Sequence, residues 1–183
     1  MAEPRRRDLA ERIAARLGDR GIRAALIGGE ALGANGVARS TVDVDLLVAD
    51  RAALDARLWT DLVPDVRLSV DPADPLDGVA DFDAAGPVAP VQLVLINRDW
   101  ARAILARAVP RGGLFTVDFA DLAILKAYAD GPRDRVDLHL IAEHAGSTWQ
   151  AEVTARLVDA GPPVALRAWR RFLSSIAPDG DDG

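Results

Sequence analysis

Two aspartates, Asp43 and Asp45, are the residues of this chain whose type and spacing point most directly to chemistry. They lie in the segment 41-TVDVDLLV-48, whose alternating start and apolar end predict a strand that is buried on both faces at its far end. Because residues two apart in a strand project from one face, the two carboxylates should lie close together. Hard oxygen ligands so placed suit Mg²⁺ or Mn²⁺. The alternative is an exposed strand end with two solvated acids, which the pattern alone does not exclude.

Two glycines, Gly28 and Gly29, precede this segment. They follow a short apolar run, Ala24–Ile27, and come before a helix-compatible stretch, Glu30–Ala34, so they are predicted to form a strand-to-helix turn. Glycines at such a turn let a phosphate approach the backbone amides, and the start of a helix adds partial positive charge. A tight turn without a ligand would use the same residues. Glycines and aspartates together favour a site for a metal-bound triphosphate.

Arg39 and Thr41 lie between the glycines and the aspartates, and each has two interpretations. The guanidinium of Arg39 offers phosphate a planar fork of donors, or it clamps backbone carbonyls or Asp45. Thr41 serves the site or only the turn.

Lys126 is the only lysine of the chain, and it lies beside the apolar stripe of a predicted helix over 118–128. A lysine there reaches into a cleft to meet phosphate oxygens, or it is an ordinary solvated surface lysine. Asp134 and Asp137 are three apart and share a face of the next predicted helix. Asp134 caps that helix or orients Lys126, Asp137 lies nearer the site, and purely structural roles for both stay open.

The elements that must position these residues form an α/β pattern, with strands and helices up to residue 117 and four helices after it. We predict a core over 1–117, a helical C-terminal part of the same compact unit over 118–177, and a disordered tail over 178–183. The other predicted elements are strands 66–70, 79–82, 91–96 and 114–117, and helices 8–20, 51–60, 99–108, 134–144, 149–159 and 164–172.

Composition excludes several classes of protein. The 183 residues include 28 acidic and 22 basic side chains, a formal charge of -6, which gives no support to strong polyanion binding. Cysteine is absent, which excludes disulfides, thiolate catalysis and cysteine-bound zinc. His139 and His144 belong to no zinc motif. No run of roughly 18 apolar residues is present, so we expect a soluble cytoplasmic protein without a membrane partner.

These motifs resemble the nucleotidyltransferase superfamily, specifically the minimal bacterial branch that contains the AbiEii and MenT toxins. A second stretch, 121-DLAILKAYADGPRDRVDLHLI-141, looks like the helical segment of that family, with a lysine and a G-x-x-D break. The first signature consists of Gly28-Gly29, Ala31-Leu32, Gly36, Arg39, Thr41, Asp43 and Asp45.

The resemblance implies a nucleotidyltransferase fold, a small mixed β-sheet flanked by helices with a helical C-terminal part. It also implies metal-dependent transfer of a nucleoside monophosphate from a nucleoside triphosphate to an acceptor hydroxyl. In the resembling toxins the acceptor is a tRNA end or a protein, and an antitoxin is a candidate partner. By resemblance, Asp43, Asp45 and Lys126 are the catalytic residues, and the two aspartates coordinate Mg²⁺ or Mn²⁺. The implied nucleotide-binding residues are Gly28, Gly29, Arg39, Thr41, Lys126, Asp134 and Asp137.

One position departs from the family pattern. Active members place a third carboxylate on a later strand, but the only polar residue in 91-VQLVLI-96 is Gln92. A glutamine amide can offer a metal its oxygen but cannot accept a proton near neutral pH. Three alternatives follow: two carboxylates suffice, Asp81 or Asp83 substitutes, or the chain is a pseudo-nucleotidyltransferase that binds nucleotide and acts through protein binding. A small cationic acceptor of the aminoglycoside type also suits the acidic chain.

Overall fold

A computed structural model of the chain describes residues 3–71, 75–82 and 90–177. The predicted tail over 178–183 and Asp83 lie outside these residues. The chain divides into two compact units, Met1–Asp118 and Phe119–Gly183. The first contains a β-sheet with helices, and the second is helical.

Seven strands and three α-helices make up the described part of the first unit. The helices are α1 (Glu3–Gly18), α2 (Gly28–Ala34) and α3 (Asp99–Arg107). The strands are β1 (Ala25–Ile27), β2 (Val44–Val48), β3 (Val66–Ser69), β4 (Gly78–Phe82), β5 (Val91–Leu95), β6 (Val109–Arg111) and β7 (Leu114–Thr116).

The strands form one mixed sheet in the order β3-β4-β5-β2-β1-β7-β6. β2 is parallel to β5 and β1 is parallel to β7, whereas the other neighbours are antiparallel. One row of paired residues, Leu46, Leu93 and Ala80, is fully buried, and α1 and α3 contact β2. The predicted mixed sheet flanked by helices is therefore confirmed.

The prediction of one helix over 51–60 is wrong. The segment forms two short 3₁₀ helices, Arg51–Leu54 and Ala56–Leu58. Asp50 accepts a hydrogen bond from the Ala52 amide at 2.9 Å, and Asp55 accepts one from the Arg57 amide at 3.0 Å. Each aspartate starts a new turn, so the second cap interrupts the helix that the apolar spacing suggested.

The sequence did not predict β6, which lies at the edge of the sheet and is exposed along its length. Its central residue is Pro110, which cannot donate a ladder hydrogen bond and is therefore tolerated on an edge strand. The exposed pattern and the proline both concealed this strand.

The second unit contains the four predicted helices, of which α4 contacts each of the other three. Trp149, Trp169 and Phe172 form an aromatic core, with ring centroids 5.2 Å apart for the two tryptophans and 5.5 Å for Trp169 and Phe172. The helices are α4 (Phe119–Ala129), α5 (Pro132–His144), α6 (Trp149–Ala160) and α7 (Pro163–Ile176). None of the helices in the described ranges has both the length and the apolar character needed to cross a bilayer.

Candidate active site

The junction of β1 and α2 brings the first glycine against a carboxylate. Gly28 follows Ile27 directly and has φ +66°, in the left-handed region that favours glycine. A Cβ atom at Gly28 would lie 2.2 Å from Oδ2 of Asp45, so the carboxylate occupies the space that a side chain would take. The pairing of Ile27 with Asp45 between β1 and β2 produces this contact. α2 begins at Gly28, two residues earlier than predicted, so both glycines lie in its first turn and not in a turn before it.

The second glycine lies against Arg39 and Thr41. A Cβ atom at Gly29 would lie 2.9 Å from Nη1 of Arg39 and 3.0 Å from Cβ of Thr41. The structure therefore brings together five residues of the predicted signature: Gly28, Gly29, Arg39, Thr41 and Asp45.

Asp43 is linked to this group through Thr41. The Thr41 hydroxyl donates a hydrogen bond of 2.6 Å to Oδ1 of Asp43. β2 begins at Val44 rather than at Thr41, so Asp43 lies just before the strand and Asp45 within it. The short turn held by Thr41 thus sets the position of one carboxylate, and the sheet sets the position of the other.

Asp45 also belongs to a row of polar residues across four strands. Asp45 of β2 pairs with Gln92 of β5, Gln92 with Asp81 of β4, and Asp81 with Arg67 of β3. Gln92 Nε2 donates to Asp81 Oδ1 at 2.8 Å. Arg67 donates to Asp81 Oδ2 from Nε at 3.1 Å and from Nη2 at 2.9 Å.

The sequence named Asp81 only as a substitute acid and did not single out Arg67. The placement of Asp81 next to Gln92 depends on the register between β4 and β5, which no local pattern encodes. Asp81 is 8% exposed, and both of its oxygens accept hydrogen bonds. It is a buried, fully engaged carboxylate.

The aspartate pair fits a cation that is shared with a phosphate substrate. The described residues contain no group of three or more acidic, histidine or cysteine side chains that could enclose a metal. Mg²⁺ commonly takes one or two carboxylates and completes its shell with water and substrate phosphates. Asp43 and Asp45 supply such oxygens, and Gly28 leaves the room that the Asp45 carboxylate occupies.

Open space adjoins this group. A cavity of about 690 Å³ is lined by Gly29, Glu30 and Gly33 of α2 and by residues 36–40, which include Arg39. This volume is in the range of small-molecule sites. A substrate in it would lie beside the second glycine and the guanidinium.

Lys126, Asp134 and Asp137 form a separate cluster in the helical unit. Lys126 Nζ lies 2.9 Å from Asp134 Oδ1 and 2.8 Å from Asp137 Oδ2. The second oxygen of Asp134 accepts from the Gly131 amide at 3.2 Å, so this side chain both caps α5 and holds the lysine. Burial lowers the pKa of Lys126, but the hydrogen bonds and charges of the two aspartates outweigh it, and the pKa is raised above its ordinary value.

Comparisons with known proteins identify the fold. The sequence matches no protein-family model, and no curated protein matches it either. JHP933 from Helicobacter pylori superimposes with a TM-score of 0.52 at 20% identity, over 87% of this chain and 75% of that one. A candidate nucleotidyltransferase from the same species gives 0.50 at 18% identity, over 98% and 86%. The chain has a nucleotidyltransferase fold.

The antibiotic-resistance factor ANT(2'')-Ia is a more distant neighbour of this nucleotidyltransferase fold. It superimposes with a TM-score of 0.46 at 18% identity, over 92% of this chain and 82% of that one. The likeness to the two Helicobacter pylori structures, at 18–20% identity, establishes the fold alone, and the roles of individual residues rest on the geometry of the site.

Proposed function

We propose that this protein transfers a nucleoside monophosphate from a nucleoside triphosphate to an acceptor hydroxyl, with Mg²⁺ or Mn²⁺ held by Asp43 and Asp45. One observation carries the proposal: the Asp45 carboxylate lies against the backbone of Gly28, next to the glycine that faces Arg39 and Thr41. Carboxylate oxygens and a guanidinium packed against one pair of glycines suit a metal-bound triphosphate.

Each residue of the group has a distinct task in this reaction. Asp43 and Asp45 would hold the cation, which when bound neutralises phosphate charge and polarises the phosphoryl group under attack. Thr41 orients the Asp43 carboxylate through its hydroxyl. Arg39 donates to phosphate oxygens, and Gly29 leaves the room in which the Arg39 guanidinium lies. Nucleotide binding by Lys126, Asp134 and Asp137 stays a prediction from the sequence.

For the acceptor we propose a tRNA end or a protein, on the resemblance of the signature to the AbiEii and MenT branch. The same resemblance supports a role as the toxin of a toxin-antitoxin pair, with an antitoxin as the partner. An aminoglycoside-type acceptor is the alternative, and the transfer assay below includes it.

The assay incubates the full chain with each α-labelled nucleoside triphosphate, Mg²⁺, and either total tRNA, a cell protein extract or an aminoglycoside. We expect label on one acceptor class. The rate of transfer should fall about 10³-fold, which corresponds to roughly 4 kcal/mol of activation free energy, in Asp43→Asn and in Asp45→Asn. Asp61→Asn is the matched control, because Asp61 is an exposed carboxylate paired with Arg16 elsewhere in the same unit. Labelling that persists in both site variants would remove the assigned site.

A second candidate function is nucleotide binding without transfer. It is favoured by Gln92, which occupies the position where active members place a carboxylate and donates its amide to Asp81. Calorimetry beside the transfer assay separates the two functions. Triphosphate binding without transfer, unchanged by Gln92→Asp, indicates a binding protein, whereas transfer that appears in Gln92→Asp indicates that the missing acid was the obstacle.

A further inference from the structure

The polar row across β2, β5, β4 and β3 suggests a role for two residues outside the family signature. We propose that Asp81, held by Arg67, is a positioning residue that fixes the amide of Gln92 so that its oxygen faces the cation site at Asp45. This inference rests on the proposed function, because it concerns the cation of that reaction.

The first step is that the four side chains share one face of the sheet. Asp45, Gln92, Asp81 and Arg67 are direct partners in register across consecutive neighbouring strands. Directly paired residues of adjacent strands project to the same side. Gln92 therefore lies between Asp45 on one side and Asp81 on the other.

The second step fixes which end of the amide faces Asp81. A carboxylate that is paired with an arginine accepts hydrogen bonds and donates none. The Gln92 group that approaches Asp81 Oδ1 at 2.8 Å must therefore be the amide nitrogen. Arg67 occupies the other oxygen, Oδ2, from two of its nitrogens. Arg67 thus keeps Asp81 turned toward Gln92.

The third step is the direction of the amide oxygen. The oxygen and nitrogen of a carboxamide diverge from one carbon, so a nitrogen committed to β4 turns the oxygen away from Asp81. β2, with Asp45, is the neighbour on that side. Gln92 then offers the cation a neutral oxygen, and it does so without placing a third negative charge between Asp45 and Asp81.

Asp81→Asn should reverse this orientation. Arg67 would donate to the oxygen of the new amide. The nitrogen of that amide would then face Gln92 and donate to the Gln92 oxygen. The Gln92 nitrogen would then face the cation site. We expect Mn²⁺ affinity, measured by electron paramagnetic resonance with inorganic tripolyphosphate as the phosphate probe, to fall about tenfold.

A double-mutant cycle separates positioning from simple loss of charge. If Asp81 acts through Gln92, Asp81→Asn should weaken Mn²⁺ binding in the natural background and have little effect in a Gln92→Leu background. Asp61→Asn, at an exposed ion pair, should leave Mn²⁺ affinity unchanged in both backgrounds. An equal loss in both backgrounds overturns the positioning role and leaves the proposed function standing. Natural protein that binds no Mn²⁺ with tripolyphosphate overturns the proposed function itself.

A measurement on the natural protein covers the case in which Asp81→Asn folds poorly. In nuclear magnetic resonance spectra, with the Gln92 side chain assigned by comparison with Gln92→Leu, Mg²⁺ and tripolyphosphate should shift its carboxamide carbon. The amide proton that is bonded to Asp81 should stay protected from exchange. A carbon resonance that does not move, or loss of protection at that proton, contradicts the proposed orientation.

Discussion

In the helical unit, Asp134 and Asp137 surround the ammonium of Lys126, whereas in the sheet unit the Asp43 carboxylate meets a hydroxyl and Asp45 lies against a glycine backbone. The first cluster contains its own cation and is complete when the unit folds. The second places a carboxylate and a guanidinium in the room that two glycines leave by having no side chains. The first cluster should therefore govern stability, and the second should govern ligand binding.

The largest expected effect comes from Lys126→Met, which leaves two carboxylates without their lysine. Asp137 is fully buried, and the Lys126 side chain is 15% exposed. Removing one partner of a buried ion pair costs about 3–5 kcal/mol, so the free energy of unfolding in urea should fall by that amount. Arg57→Met, at an exposed pair with Asp55, is the control and should change stability little. Unchanged stability together with loss of triphosphate binding would instead assign Lys126 to the nucleotide.

The pH dependence of the stability difference between the natural protein and Lys126→Met tests the same cluster. Burial lowers the pKa of Lys126, but Asp134 and Asp137 raise it further, so the folded value lies above the ordinary 10.5. A raised lysine pKa means that the stabilisation is fully present below 10.5 and is lost as pH rises through the folded value. The stability difference between natural protein and Lys126→Met should therefore stay constant across neutral pH and shrink in strong alkali. A difference that shrinks near neutral pH would contradict this account.

Gly28→Ala should have the next largest effect, and it acts on the group around Asp43 and Asp45 in the sheet unit. At φ +66°, a residue with a side chain lowers the free energy of unfolding by about 1–2 kcal/mol. The alanine Cβ atom would also displace the Asp45 carboxylate. We expect loss of stability together with weaker Mn²⁺ binding. Gly21→Ala is the matched control, because Gly21 has φ +72° and nothing within 4 Å of a Cβ atom. Gly21→Ala should lose similar stability and retain Mn²⁺ affinity. If Gly28→Ala and Gly21→Ala lose the same Mn²⁺ affinity, Asp45 is not a ligand of the cation.

The smallest expected effect is that of Thr41→Val, which removes the 2.6 Å hydrogen bond to Asp43. The loss of one such bond costs about 1 kcal/mol, so Mn²⁺ affinity with tripolyphosphate should fall about fivefold. Thr41→Ser keeps the hydroxyl and should restore the affinity. If valine and serine behave alike, Thr41 serves only the turn.

Local patterns predicted the parts of this molecule that depend on neighbouring residues in the chain. Helical periodicity located α4 to α7, and the glycines before the aspartate pair marked residues that the fold does bring together. The lysine cluster was partly predictable, because Asp134 was expected to cap a helix or orient Lys126 and does both.

Contacts between paired strands were not predictable in the same way. Asp81 lies opposite Gln92 only because β4 and β5 pair in one register, and a shift of one residue would move Asp81 to the other face. Arg67 enters the row through a second register, between β3 and β4. The site's outer partners therefore depend on the assembled sheet, which no short segment of sequence specifies.

Lys126 is the only lysine of the chain, and its amine is enclosed by two carboxylates. A reagent that acylates lysine side chains thus has a single target, which is protected and protonated while the helical unit is folded. The rate of acylation at Lys126 would report how often that unit opens. The cluster that stabilises the helices also makes their opening measurable by simple chemical labelling.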